Sequence, residues 1–471
     1  MSFTSFNSTS YEFSYSANPQ FITGLILISL SAIYITRKLL EQKEGKLPPG
    51  PRGLPIIGNL LQLSIDPWIP FTEWKYKFGP LVYLTVGHQG ILVINSPKVA
   101  TELLDRKANV YNNRPRFIGK HVSSASASDT DARGSIVASE YSTGGMLLPL
   151  MENNNVWKRM HRAGTKILNR TMSPSFQPAQ EQEAVRLVQN ILRDTKPKQW
   201  DSELQRAGSS VLLSVVYNLP ILESSNDSAI HRMREFALRL SRASIPGTYL
   251  VEFFPWMRHL PAFICKWKRD SQTWYRRDTE FFKALLAGVK DRIEKGDDRG
   301  SFTSHVIRDQ ERYGLSETEI SWLSAAMYAA GAETASSATA MSWFMLAMVA
   351  HPEVQKRCQE ELDTVIGRFR MPRLSDQDDL PYIQATAREV LRWRPVTPLG
   401  VPHQSTEDDW YEGYYIPKNT IVIANIWAMN HDGDIFGPDA DLFKPERHLD
   451  SDGKLACSPP DIKQGMFICN A

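Results

Sequence analysis

The stretch from about 316 to 349 constrains this chain most. It reads SETEISWLSAAMYAAGAETASSATAMSWFMLAMV, without a proline and without a charge after Glu319 except Glu333. Ser316 followed three residues later by Glu319 is a capping box that starts a helix. At 1.5 Å per residue, ~34 residues span ~50 Å, so the fold must hold a helix crossing a whole domain. Its middle, AAGAETASSA, surrounds Glu333 and Thr334 with small side chains, and Gly331 there costs about 1 kcal/mol relative to alanine. Two readings stand. The small residues are a seam for close helix packing, or they make room for a flat group beside an acid and an alcohol that handle protons. The Thr334 hydroxyl can also bond back to the Ala330 carbonyl and loosen the helix at that point.

The rest of the chain agrees with an α-rich body. Residues from about 156 to 395 read as mostly helical. PLVYLTVGHQGILVINS alternates like two strands around a glycine turn, and 399–428 returns to short strands. Residues 119–140 (GKHVSSASASDTDARGSIVASE) lack apolar periodicity and read as a loop or disordered insert. The 471 residues carry a net charge of +2, which excludes a general nucleic-acid binder. Four cysteines lie far apart with no C-x-x-C pair, which excludes a zinc ribbon or a disulfide scaffold and suits a reducing compartment.

The N-terminus is of another kind. FITGLILISLSAIYIT (21–36) sits in a run with no charge between Glu12 and Arg37, about 24 residues, enough to cross ~30 Å of hydrocarbon. Arg37, Lys38, Lys43 and Lys46 follow it, so positive-inside logic puts everything after it in the cytosol. A cleaved signal peptide would carry its charge before the apolar run instead. The expected organisation is a lumenal stretch (1–20), an anchor (21–36), a basic, Pro-rich hinge (37–55) and one large domain (56–471). Asn7, in NST, then becomes a glycosylation acceptor, while the matches at Asn169 and Asn226 stay cytosolic and bare.

Further along, LPYIQATAREVLRWRPVTPLG places Pro381 in a first helical turn and Pro395 after its end. Glu389 and Arg392 share a face at i and i+3; as an exposed pair they would contribute only ~0.5 kcal/mol. FKPERHL follows, with Arg447. In this order and spacing the pieces resemble the cytochrome P-450 family of haem-thiolate monooxygenases, from the anchor and the PPGP hinge to the end of the chain. The fold expected is therefore mainly α with a small β region, a single catalytic domain of cytochrome P-450 type behind a transmembrane helix. Ala330-Gly331-Ala332-Glu333-Thr334 resembles the family's oxygen-binding helix motif, which implies catalytic roles for Glu333 and Thr334 and cofactor contact at Ala330 and Gly331. Glu389 and Arg392, with Arg447, resemble its buried structural triad. Trp157 resembles a residue that bonds a haem propionate; the arginine usual four positions later is His161 here. His403, in VPHQST, would meet a propionate.

The resemblance implies haem b, electrons from NADPH through a separate reductase, an apolar small-molecule substrate, and the endoplasmic reticulum membrane as location. Multicellular-fungal members match the stretch VPHQSTEDDWYEGYYIPKNT best, which suggests secondary metabolism. Two departures matter. Without residues 119–140, Arg114-Pro115-Arg116-Phe117 would nearly join Ser142-Thr143-Gly144-Gly145-Met146, as in the family, and an unspliced intron would explain the insert. The family's ligand loop, F-x-x-G-x-R-x-C-x-G, has no full match: Cys469 stands in GMFICNA with neither the arginine before it nor the glycine after it. No axial ligand is therefore assigned, with Cys469 ahead of Cys457 as a weak candidate, and residues 466–471 read as a splice read-through. An inactive homologue that cannot ligate haem, and a non-redox membrane protein that binds apolar ligands, are the alternatives.

Overall fold

The computed structural model describes residues 45–456, apart from 116–135, 152–153, 168–172, 194–199, 223–226, 245–248, 250, 252–254, 333–335 and the single positions 56, 65, 88 and 299. The expected anchor, Asn7, most of the insert, Glu333, Thr334, and the tail with Cys457 and Cys469 lie outside the described residues. Of Ala330–Ala332 only the helical backbone is described. Among the described residues, no helix is long and apolar enough to cross a membrane.

Helices dominate, with a small sheet region, as the sequence pattern implies. After α1 (Trp68–Phe78), β1 (Leu81–Val86) and β2 (Gln89–Ile94) form the expected hairpin around Gly87, whose φ is +59°. A short helix, α2 (Ala108–Tyr111), follows. β2 then pairs in parallel with β6 (Ile421–Ala424), and β3 (His403–Gln404) closes the order β1-β2-β6-β3. The proline-rich connector lies alongside β1, where Tyr83 N–H donates to the Pro49 carbonyl at 2.9 Å. A Cβ on Gly50 would stand 1.8 Å from the Tyr83 carbonyl oxygen, so only glycine permits this approach.

The main core is helical. It gathers α3 (Asn155–Ile167), α5 (Trp200–Tyr217), α6 (Ser228–Ser244), α7 (Lys266–Glu294), α8 (Phe302–Arg308) and α9 (Glu317–Ala332), with α4 (Gln177–Arg193) packed on α5. At its centre Trp322 meets Phe282 edge-on at 5.1 Å and stacks on Tyr275 at 5.7 Å. The long helix is described as α9 and α10 (Ser336–Ala350), with 333–335 between them. Its start is as read: Ser316 Oγ accepts from Glu319 N–H at 3.3 Å, and Glu319 accepts from Ser316 N–H at 2.7 Å.

The end of the 119–140 stretch departs from the expected loop. Ile136–Tyr141 is a helical turn in which Val137 and Ala138 are fully buried in the main core. Two small apolar side chains show no periodicity, yet they fill space beside α6 and α7.

A smaller cluster joins α10, α11 (Pro352–Val365) and α12 (Pro381–Trp393) through Met348, Val354, Tyr382, Val390 and Phe443. A second compact unit holds residues 45–47 and 410–416. In it, Glu412 (φ +49°) and Gly413 (φ +82°) make the tight turn between β4 (Asp409–Tyr411) and β5 (Tyr414–Ile416).

Candidate cofactor site

The amphipathic helix α12 turns Glu389 and Arg392 inward, and both side chains are wholly buried. Arg392 grips the carboxylate with two parallel bonds, Nε to Oε2 at 2.7 Å and Nη2 to Oε1 at 2.8 Å. Its remaining donors reach the carbonyls of Asn430 (2.7 Å), Ala440 (2.6 Å) and Leu442 (2.9 Å). Arg447 adds its Nε to Glu389 Oε1 at 3.1 Å, so the three residues that the sequence grouped do meet. The pair is buried rather than exposed, which replaces the small surface value by that of a satisfied interior network.

Two donors to Glu389 were not legible beforehand. The Lys444 N–H lies 2.8 Å from Oε1, and His448 Nε2 lies 2.9 Å from Oε2. Burial works to raise the Glu389 pKa, but the bonds from Arg392 and His448 outweigh it and hold the carboxyl at about 2. The same helix holds the exit of this segment. Arg388 donates to the Ala456 carbonyl at 2.9 Å, and the Ala456 N–H donates to the His448 carbonyl at 2.9 Å. α12 thus fixes residues 444–456 at both ends.

A second corner forms where α2 and residues 112–115 meet β3. Gln404 N–H donates to the Asn113 carbonyl at 2.8 Å, and His403 Nδ1 lies 2.9 Å from the Tyr111 carbonyl oxygen. Arg114 Nη1 donates to the carbonyls of Val401 (3.0 Å) and Pro402 (3.1 Å). Tyr111 is held in turn: its hydroxyl donates to Asp409 at 2.8 Å, and Lys107 binds both oxygens of Asp409 at 2.7 Å. Burial, the charge of Arg114 and the opposing Tyr111 bond leave the His403 pKa lowered to about 4. Arg114 was visible only as part of the run before the insert; its bonds to 401–402 span a separation no local pattern carries.

Trp157 and His161 sit one turn apart on α3 and stack at 4.5 Å with 17° between their planes. Asn154 starts that helix by accepting the Trp157 N–H at 2.8 Å. Trp157 packs against the main core, while His161 is exposed. Arg159, between them, binds Glu319 at 2.6 Å and ties α3 to the start of α9. Among the described residues no hydrogen bond joins Trp157 or His161 to His403.

The two cysteines of the described part are not placed as ligands. Cys265 is buried before α7, and Cys358 on α11 lies 3.4 Å from the Thr386 hydroxyl with its pKa raised by burial. Among the described residues no group of three or more His, Cys, Asp or Glu side chains could hold a metal ion.

Comparison with known proteins places this architecture. The family model described as Cytochrome P450 matches residues 48–463. A cytochrome P450 monooxygenase of Armillaria gallica is 46% identical, over 95% of this chain and 81% of that one. Cytochrome P450 monooxygenase 58 of Postia placenta is 46% identical, over 91% of this chain and 77% of its own length. Cytochrome P450 monooxygenase iboC of Amanita muscaria is 39% identical, over 94% and 74%. With the buried Glu389–Arg392–Arg447 cluster and a mainly helical fold carrying a small sheet, the chain belongs to the cytochrome P450 family.

Proposed function

We propose that this chain is a membrane-anchored monooxygenase that oxidises an apolar small molecule in fungal secondary metabolism. It would work on the cytosolic face of the endoplasmic reticulum, anchored by residues 21–36, with Asn7 glycosylated on the lumenal side. Electrons would come from NADPH through a separate reductase. The family implies a haem iron cofactor, and the observation that carries the reading is the corner built by His403 and Arg114. Arg114 brings a cation and His403 an imidazole to one place, a pair suited to the carboxylates of a porphyrin once the ring carries a second proton. Trp157 and His161 on α3 would add to the same purpose.

When bound, haem supplies oxygen activation, which a thiolate ligand favours by pushing electron density to the iron. The chain's own residues do the rest. His403, Arg114, Trp157 and His161 would hold the propionates. By the family resemblance, Ala330 and Gly331 would leave room for the cofactor, and Glu333 and Thr334 would hold and pass protons. Glu389, Arg392 and Arg447 fix the segment that leads towards the ligand.

A second reading, an inactive homologue, rests on Cys469, whose surroundings offer neither the arginine nor the glycine of the family's ligand loop. One experiment decides between them. The carbon monoxide difference spectrum of the reduced 471-residue chain is compared with its Cys469→Ser variant and with a version carrying a family-type loop. A thiolate-type Soret band in the chain, lost in the variant, makes Cys469 the ligand. A band only in the version with the family loop makes this chain the inactive homologue.

A further inference from the structure

The bond that orients His403 also fixes where its proton lies. A carbonyl oxygen only accepts, so at 2.9 Å from Tyr111 the hydrogen is on Nδ1. On the neutral ring Nε2 is then a bare lone pair, and among the described residues no hydrogen bond reaches it. The proton cannot simply move across the ring, because Nδ1 would then turn a lone pair towards the Tyr111 carbonyl.

The groups around the imidazole leave it uncharged. From α2 comes Tyr111, whose hydroxyl is spent on Asp409; that carboxylate is also bound by Lys107. From the following segment comes Arg114, a cation that works against a second positive charge. Across the sheet, the β6 residue opposite His403 is Val422, which carries no charge. Among the described residues, no uncommitted carboxylate stands ready to hold an imidazolium.

A carboxylate that arrives at Nε2 therefore meets a lone pair, and the contact becomes attractive only with a proton between them. We infer that His403 binds a haem propionate as imidazolium, so that each cofactor bound takes up one proton from solvent. The inference rests on the cofactor reading above. The balance is simple: one proton adds to Nε2, Nδ1 keeps its own, the propionate stays anionic and no electron moves. The apparent affinity then falls about tenfold per pH unit as pH rises, between the pKa of the free ring and that of the bound one.

The test uses the full 471-residue chain in detergent, without cofactor, titrated calorimetrically with haemin at pH 7. Two buffers of different ionisation enthalpy, phosphate and Tris, report the protons exchanged. His403→Arg offers a permanent charged donor, and His403→Gln a neutral one. The expected result is one more proton taken up by the wild type than by either variant, and a pH profile of affinity that flattens in both. Haemin dimethyl ester, which has no carboxylate, shows no such uptake with the wild type and serves should a variant not fold. Equal uptake for haemin and its ester, or for wild type and variants, overturns the inference. Absence of saturable haemin binding to the wild type overturns the cofactor reading beneath it.

Discussion

His448 stands 2.9 Å from the carboxylate of Glu389, on the oxygen that Arg392 Nε also binds. The cluster is thus four side chains, not three, and its anion is met from α12 and from the turn Pro445–His448 at once. Removing the anion strands two arginines in a buried place, a far larger loss than the net worth of the intact network. Glu389→Gln is expected to cost about 3–5 kcal/mol in urea unfolding. A loss under about 1 kcal/mol would show that the arginines find other partners.

The same carboxylate makes stability depend on acid. Its folded pKa is about 2, against an ordinary 4.5. Its contribution is therefore fully present above about pH 4.5 and is lost as pH falls towards 2, roughly 3 kcal/mol in all. Urea midpoints of wild type and Glu389→Gln, followed from pH 5 down to pH 2.5, should converge as the acid is approached. Parallel curves would mean that Glu389 titrates in the folded protein as it does unfolded.

His448 itself is testable by shape. Leucine there leaves Glu389 Oε2 short of one donor, at a cost of about 1.5–3 kcal/mol, the range for bonds to charged groups. Glutamine, with an N–H of similar reach, should recover much of that loss. If leucine and glutamine destabilise equally, the role is packing and not hydrogen bonding.

Some of this was legible because it is local or ordered along the chain. Glu389 and Arg392 share a helix face by the 3.6-residue period, and the capping box at Ser316 is a three-residue signature. The hairpin at 81–94 announced itself by alternation. His448 did not, because it lies in a short turn where no period assigns direction. Tyr111 and Asp409 are 298 positions apart, a separation that no local pattern spans. Val137 and Ala138 hid in a stretch whose composition reads as loop, since two small apolar residues are too few to set a pattern.

Gly50 marks where the connector passes β1. A methyl group there would sit 1.8 Å from the Tyr83 carbonyl oxygen, an atom of the backbone that cannot swing aside. Gly50→Ala should therefore lift the connector off the strand and free the Tyr83 N–H from Pro49. Hydrogen exchange at Tyr83 is expected to speed up at least tenfold while amides in α9 keep their protection. Unchanged exchange at Tyr83 would show that the connector accommodates the methyl by sliding.

Trp322 lies at the centre of the helical core with no exposed surface. Phe236 and Phe282 meet it edge-on, Tyr275 stacks on it, and its Nε1 donates to the Thr279 hydroxyl at 3.1 Å. Truncation to alanine removes both the aromatic contacts and the filling of a site walled by helices, an expected loss of about 3–5 kcal/mol. The hydrogen bond separates from the packing in a double-mutant cycle of Trp322→Phe with Thr279→Val. A coupling of about 1 kcal/mol is expected, because each single change leaves the other partner unmet, Trp322 Nε1 within the core and the Thr279 hydroxyl half-buried. A coupling near zero would mean that the Thr279 hydroxyl finds another donor, and that Trp322 holds α9 to α7 by ring packing alone.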